Sequence, residues 1–317
     1  MITISVIICT YNREKYIANA IKSILHQNLN YKILELIIVD NNSNDKTPDI
    51  VKKIIKSNPE FQMKLIFEKK QGLGFARNRG LKESKGEYIT YLDDDAWADG
   101  NWIKYIQKCI DSISPKPLVI GGKILPQYVG NKPNWFKDEY ESFDLGDKGR
   151  YLIKGESFSG SNMVFRKDVL YKYHGFSTDV GMKGDIISVG EETLVFERIW
   201  MENAYSKTMY YCPKLLIYHF IPNAKLSVKY RLYRSYISGQ ALYERNINIK
   251  LLFKLRLLLK YLSVLLIFTI ISPFRLIISK YPERWLVDSF TPVFYSIGFL
   301  LRTIGSKGYM IRIYDKD

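Results

Sequence analysis

Tyr88-Ile89-Thr90-Tyr91-Leu92-Asp93-Asp94-Asp95 is a run of aromatic, β-branched and aliphatic residues that stops in three acids. The first five residues suit a buried strand. Three adjacent carboxylates repel one another unless a cation offsets them. Hard divalent cations such as Mg²⁺ or Mn²⁺ take oxygen ligands, often one or two carboxylates plus substrate phosphates. In an open α/β sheet, ligands bind beyond the carboxyl ends of the strands. The stretch therefore reads as a metal–diphosphate site, with a solvated acidic turn as the plainer alternative.

Upstream, strand-like and helix-like segments alternate. Ile4–Ile8, Leu34–Val39 and Met63–Phe67 read as strands. Tyr16–Leu25, a segment opening at Asp45-Lys46-Thr47-Pro48, and Phe75–Ser84 read as helices. This rhythm predicts an α/β fold with a mostly parallel sheet and helices on both faces. After a helix at Trp102–Ile110 and a strand at Leu118–Ile124, residues 126–158 lose the rhythm and read as a binding loop or lid. A strand near Gly160–Phe165, a helix at Glu192–Met201 and a strand at Leu215–Phe220 follow.

Of the 317 residues, 47% are hydrophobic, enough for a large core. The net charge of +15 is uneven. Residues 225–317 hold 16 Lys and Arg against 5 Asp and Glu, a net +11; residues 1–224 hold 31 against 27, a net +4. The expected division is a catalytic domain over 1–224 and a basic, apolar, helical region over 225–317. In the latter, Tyr261–Phe274 is uncharged for 14 residues and Ser289–Leu301 for 13. A spanning helix needs about 20, so both runs are expected to lie on or re-enter an anionic membrane surface. Packed helices are the alternative. Cys9, Cys109 and Cys212 lack metal-ligand spacing and imply no disulfide framework, which fits a reducing compartment. Ile2–Ile8 has strand length and lacks the features of a signal peptide.

Other strand ends are polar too. Thr10-Tyr11-Asn12-Arg13 follows the first strand, and Tyr11 can stack on a base. Asp40 ends the second and can accept hydrogen bonds from a nucleobase or a ribose. Gly72-Leu73-Gly74 precedes a helix bearing Arg77 and Arg79, either of which can pair with a diphosphate. Glu191-Glu192 opens a later helix. Acids there favour the macrodipole, and one of them can also serve as a general base. His219 ends an apolar strand, where a lone His is usually core. Trp102, Trp135 and Phe136 suit either a sugar platform or local core.

The order and spacing of these motifs resemble the family 2 glycosyltransferases of GT-A fold. The stretches are Ser5–Arg13, Ile38–Asp45, Gly74–Gly80, Tyr91–Ala96, Gly160–Arg166 and Gly190–Arg198, within about residues 2–220. The resemblance implies an inverting transfer from a nucleotide-sugar donor, with a divalent metal, Mg²⁺ or Mn²⁺. It implies that Asp95 binds the metal, with His219 as a further ligand. Asp93 would lie on the sugar side, Asp40 would bind the base and Tyr11 would flank it. Thr10, Asn12, Arg77 and Asp94 are grouped with the donor site. The family commonly has Glu-Asp where this chain has Glu191-Glu192, and Glu192 is preferred as base over Glu191. With the tail, the expected acceptor is a glycan or lipid-linked hydroxyl in surface polysaccharide or glycoconjugate synthesis, at the cytoplasmic membrane face, with no nucleic-acid partner. A sugar-phosphate nucleotidyltransferase would be expected to carry a Gly-rich phosphate loop after strand one, where this chain has Thr10–Arg13. A nucleic-acid binder would need one exposed basic–aromatic face without long apolar runs.

Overall fold

Alternating side chains divide the sheet into two faces. In β1 (Ile4–Thr10), Ile4, Val6 and Ile8 join one buried cluster and Ile7 joins another. The computed structural model describes residues 3–28, 34–184, 189–203, 207–245 and 251–304. After β1 come α1 (Ile17–Leu25), β2 (Leu34–Asp40), α2 (Thr47–Ser57), β3 (Met63–Phe67), α3 (Leu73–Glu83), β4 (Tyr88–Tyr91), β5 (Ala96–Ala98), α4 (Trp102–Ser112), β6 (Val119–Tyr128), β7 (Arg150–Tyr151), β8 (Met163–Arg166), α5 (Lys167–Lys172), α6 (Glu191–Asn203) and β9 (Met209–Ile221). The first cluster packs α1, α2 and α4 on the sheet, and the second packs α3, α5 and α6. Helices therefore cover both faces.

The sheet runs β3-β2-β1-β4-β8-β6-β9-β5, with β7 beside β9. Its first four strands are parallel, joined in the chain by helical crossovers. From β4 onward the recorded pairings are antiparallel. This places the ends of β1, β2 and β4 together at one edge.

The small residues at the start of α3 allow a close approach to protein backbone. A Cβ on Gly74 would stand 2.1 Å from the backbone oxygen of Ser177. Gly74→Ala must therefore push α3 off its seat. The expected cost is about 1–3 kcal/mol, read as a lowered midpoint of thermal unfolding.

The chain divides into two units. The first comprises Met1–Gln127, Glu141–Asp179 and Glu191–Phe220; the second comprises Tyr128–Tyr140, Val180–Gly190 and Ile221–Asp317. The second thus draws in residues from within the expected 1–224 domain. Its helices are α7 (Val228–Arg245), α8 (Leu251–Ile278) and α9 (Pro282–Thr303). Trp135 and Phe136 are buried in it with Ile221, Leu226 and Val287. Arg284 donates to the carbonyls of Trp135 (2.9 Å) and Asn134 (3.0 Å), and Arg231 donates to that of Tyr140 (2.8 Å). Trp135 and Phe136 are therefore core rather than a sugar platform. Trp102 is core of the first unit, donating its indole N–H to Asn162 at 2.9 Å.

The two apolar runs have different fates. In α9, Val287, Ser289, Val293, Ser296, Gly298 and Phe299 are buried. A Cβ on Gly298 would meet the Tyr236 backbone oxygen of α7 at 2.1 Å, so Ser289–Leu301 is a packing surface. In α8 much of the run is exposed. Among the described residues no helix is long and apolar enough to cross a membrane.

Candidate active site

Register brings the polar strand ends together. Thr10 pairs with Asp40 across β1 and β2. Asn12, with φ +52°, takes the left-handed conformation that Asn tolerates better than most residues. Its side chain accepts from the Asn44 N–H (2.9 Å), and its own N–H donates to Ser43 Oγ (3.0 Å). Asp40 is buried and accepts from the Ser43 N–H at 3.2 Å. Asn41 follows Asp40 at the end of β2 and is buried. It donates to the carbonyls of Glu68 and Lys70 and accepts from the Gly72 N–H, pinning the loop ahead of α3. Tyr11 beside them is half-buried.

The acids leave β4 in a turn closed by the Ala96 N–H on the Asp93 carbonyl, 3.1 Å. The chain then enters β5, which runs antiparallel to β9 with Ala96 opposite His219. The Phe220 N–H donates to the Asp95 carbonyl at 2.8 Å. This pairing sets His219 Nε2 at 3.1 Å from Asp95 Oδ1 and 3.8 Å from Asp93 Oδ2. One ligand atom from each of Asp93, Asp95 and His219 lies within 4.8 Å of the others. Asp93, expected on the sugar side, thus stands in the same group as Asp95. Asp94 points elsewhere, with its carboxylate 3.3 Å from Arg13 Nε.

Arg77 is the hub behind these acids. Its guanidinium is 3% exposed. It donates to Glu191 at 2.9 Å and lies 3.8 Å from Asp93 and 3.9 Å from Glu192. The rings of Phe176 and Tyr91 lie within cation–π reach, at 5.2 and 5.8 Å. Glu191 is as buried as Arg77, whereas the Glu192 side chain is 20% exposed.

Arg13 pairs with Asp94, and Arg77 with Asp93, Glu191 and Glu192. Burial, with Asp95 and Asp93 adding to it, pushes Asp94 up to about 7 against the pull of Arg13. Burial and the neighbouring Glu192 push Glu191 up to about 8 against the pull of Arg77. Asp93 is also raised, by burial first, with Arg77 opposing and Asp95 adding. An excess of carboxylate, two carboxylate donors and one imidazole together fit a divalent cation.

The sign of the pH effect follows. These carboxyls hold protons more tightly folded than unfolded. Their contribution to stability is present below the ordinary carboxylate range, from 3.8 for Asp94 and 4.5 for Glu191, and is lost as pH rises to about 7 and about 8. Chelator-treated protein is expected to melt lower at pH 8 than at pH 6. A divalent cation should raise the pH 8 midpoint more than the pH 6 one. A cation effect independent of pH would contradict this electrostatic account.

Comparison with solved structures gives the class. A mannosyltransferase from Pyrobaculum calidifontis, solved with GDP-Man and Mn²⁺, matches over 96% of this chain and 76% of that one, with a TM-score of 0.58 and 16% identity. Staphylococcus aureus TarS 1–349 with UDP-GlcNAc matches over 96% and 92%, with a TM-score of 0.56 and 16% identity. The fold is thus that of the GT-A glycosyltransferases. The chain belongs to glycosyl transferase family 2, whose family model matches residues 5–174. It is similar to the glucosyl-dolichyl phosphate glucuronosyltransferase of Haloferax volcanii, 27% identical over 248 residues, covering 74% of this chain and 75% of that protein. It is also similar to a GalNAc(5)-diNAcBac-PP-undecaprenol beta-1,3-glucosyltransferase of Campylobacter jejuni. That match is 41% identical over 172 residues, covering 53% and 52%. The protein is a glycosyltransferase. No observation favours the nucleotidyltransferase or nucleic-acid readings.

Proposed function

We propose that this enzyme transfers a sugar, with inversion, from a nucleoside-diphosphate sugar to a hydroxyl of a lipid-linked glycan. The observation that carries the reading is the convergence on Arg77 of Asp93, Glu191 and Glu192, with Asp95 and His219 adjoining. Glu191 is committed to the buried Arg77 pair, so Glu192, on the open side, takes the proton from the acceptor hydroxyl. The acceptor oxygen then bonds to the anomeric carbon, and the diphosphate departs with the electrons of the broken C–O bond. No enzymic nucleophile is invoked, so the configuration inverts. Asp40, Thr10, Tyr11 and Asn12 form the nucleoside end. Asp95, Asp93 and His219 would hold Mg²⁺ or Mn²⁺. That cation, when bound, supplies charge neutralisation for the departing diphosphate. Arg77 acts through Glu191 and Asp93 as a positioning residue, a change from the diphosphate contact expected of it. Asp94 holds Arg13 beside the donor end.

Two relatives act, by their names, on undecaprenol- and dolichyl-linked compounds. They support a lipid-linked acceptor in surface polysaccharide or glycoconjugate synthesis; the basic, apolar C-terminal region is what suggests that it is used at the cytoplasmic face of an anionic membrane. The test is a panel of UDP- and GDP-sugars with the full chain in native membranes, scored for transferred sugar and anomeric linkage. A retained configuration would sink the single displacement. Donor hydrolysis with no acceptor product in any membrane would sink the acceptor class.

A further inference from the structure

Among the described side chains of α8, Leu255, Leu259, Leu262, Leu266 and Ile270 are exposed, in steps of four, three, four and four. That spacing keeps them on one stripe of a helix. Ile267 and Ile271 widen it towards the C-terminal end. Leu259, Leu266 and Ile270 are 65%, 63% and 66% exposed. The stripe runs roughly 22 Å along the axis at 1.5 Å per residue. The opposite side of α8 is occupied. Tyr261 is buried against Tyr295 and Phe299 of α9, with ring centroids 5.6 and 4.7 Å apart. Arg256 and Lys260 lie exposed in the first half of the stripe, and Tyr261–Phe274 carries no charge.

We propose that this face of α8 is the docking surface of the protein for an anionic lipid bilayer, its leucines and isoleucines entering the headgroup–acyl boundary and Arg256 and Lys260 meeting lipid phosphate. This deepens the membrane-side reading above by naming the face, and it takes that reading as its premise. Charge decides the occupant. No Asp or Glu occurs between Glu244 and Glu283, so a second copy laid on the stripe would find no acid on α8 to pair with these cations. Anionic lipid supplies the missing sign. The uncharged run is too short to span the roughly 30 Å hydrocarbon core, so α8 lies in the interface plane.

The experiment is co-sedimentation of the full chain with phosphatidylcholine vesicles, with and without phosphatidylglycerol. Wild-type protein should bind the phosphatidylglycerol vesicles preferentially. Leu262→Glu/Leu266→Glu/Ile270→Glu should bind them on the order of 100-fold more weakly. Its circular dichroism, and its transfer to a water-soluble acceptor, should be unchanged. Arg256→Gln/Lys260→Gln should lose about tenfold of the preference for phosphatidylglycerol while keeping the weaker neutral binding. Undiminished binding by the triple variant would overturn the proposal, as would a wild-type dimer that the variant abolishes while neither binds vesicles. Vesicle binding by a wild type that transfers no sugar would support the docking face and sink the transfer reading.

Discussion

Glu192→Gln is expected to slow sugar transfer by about 10²–10⁴-fold while leaving donor affinity within about twofold, the usual range for losing a general base. The amide has nearly the same shape but takes no proton from the acceptor. The geometry separates the two glutamates. Glu191 is spent on a 2.9 Å buried bond to Arg77, whereas Glu192 stands 3.9 Å from that guanidinium and is more exposed. Glu191→Gln should show in stability instead. The Glu191 carboxyl keeps its proton up to about pH 8 and the amide copies that protonated form, so the chelator-treated midpoint should stay near wild type at pH 6 and rise at pH 8. Near-normal turnover by Glu192→Gln, measured with saturating donor, would reassign the base.

Asp95→Asn should remove divalent-cation binding and reduce turnover by on the order of 10³-fold, since a catalytic cation is worth several kcal/mol of charge stabilisation. A second consequence runs the opposite way. Asp95 is one cause of the raised Asp93 and Asp94 carboxyls. Neutralising it relieves that repulsion, so chelator-treated Asp95→Asn should melt above chelator-treated wild type at pH 8. A merely structural carboxylate would give a loss in both measurements. Manganese titration by isothermal calorimetry and melting by differential scanning fluorimetry give the two readings. Wild-type cation affinity in the variant would remove Asp95 from the ligand set.

The first four strands and the acidic motif were legible because each strand is an apolar run ended by polar residues, a local pattern. Thr10, Asp40 and Asp93–Asp95 were found at strand ends for that reason. What was hidden depends on partners distant in the chain. β5 is three residues long, too short for any periodic signal, and only its pairing with β9 sets His219 beside Asp95. Arg77 reads locally as an exposed phosphate binder, and its burial depends on Glu191 and the carbonyl of Gly160. Nothing in the sequence near Arg13 points to Asp94. The run 126–158 reads as a single loop, yet Arg284 holds the carbonyls of Asn134 and Trp135 and Arg231 holds that of Tyr140, from helices about a hundred residues later or more.

The stretch that defines the family ends at residue 174. Glu191, Glu192 and His219 all come later, so a growing chain carries the aspartates long before it carries the base or the imidazole. Until β9 is made and laid against β5, the acids have no imidazole facing them. The assembled group thus marks a chain made at least as far as β9. A fragment cut at the family boundary would keep the signature by which the enzyme is recognised and lack half of the groups assigned to its chemistry.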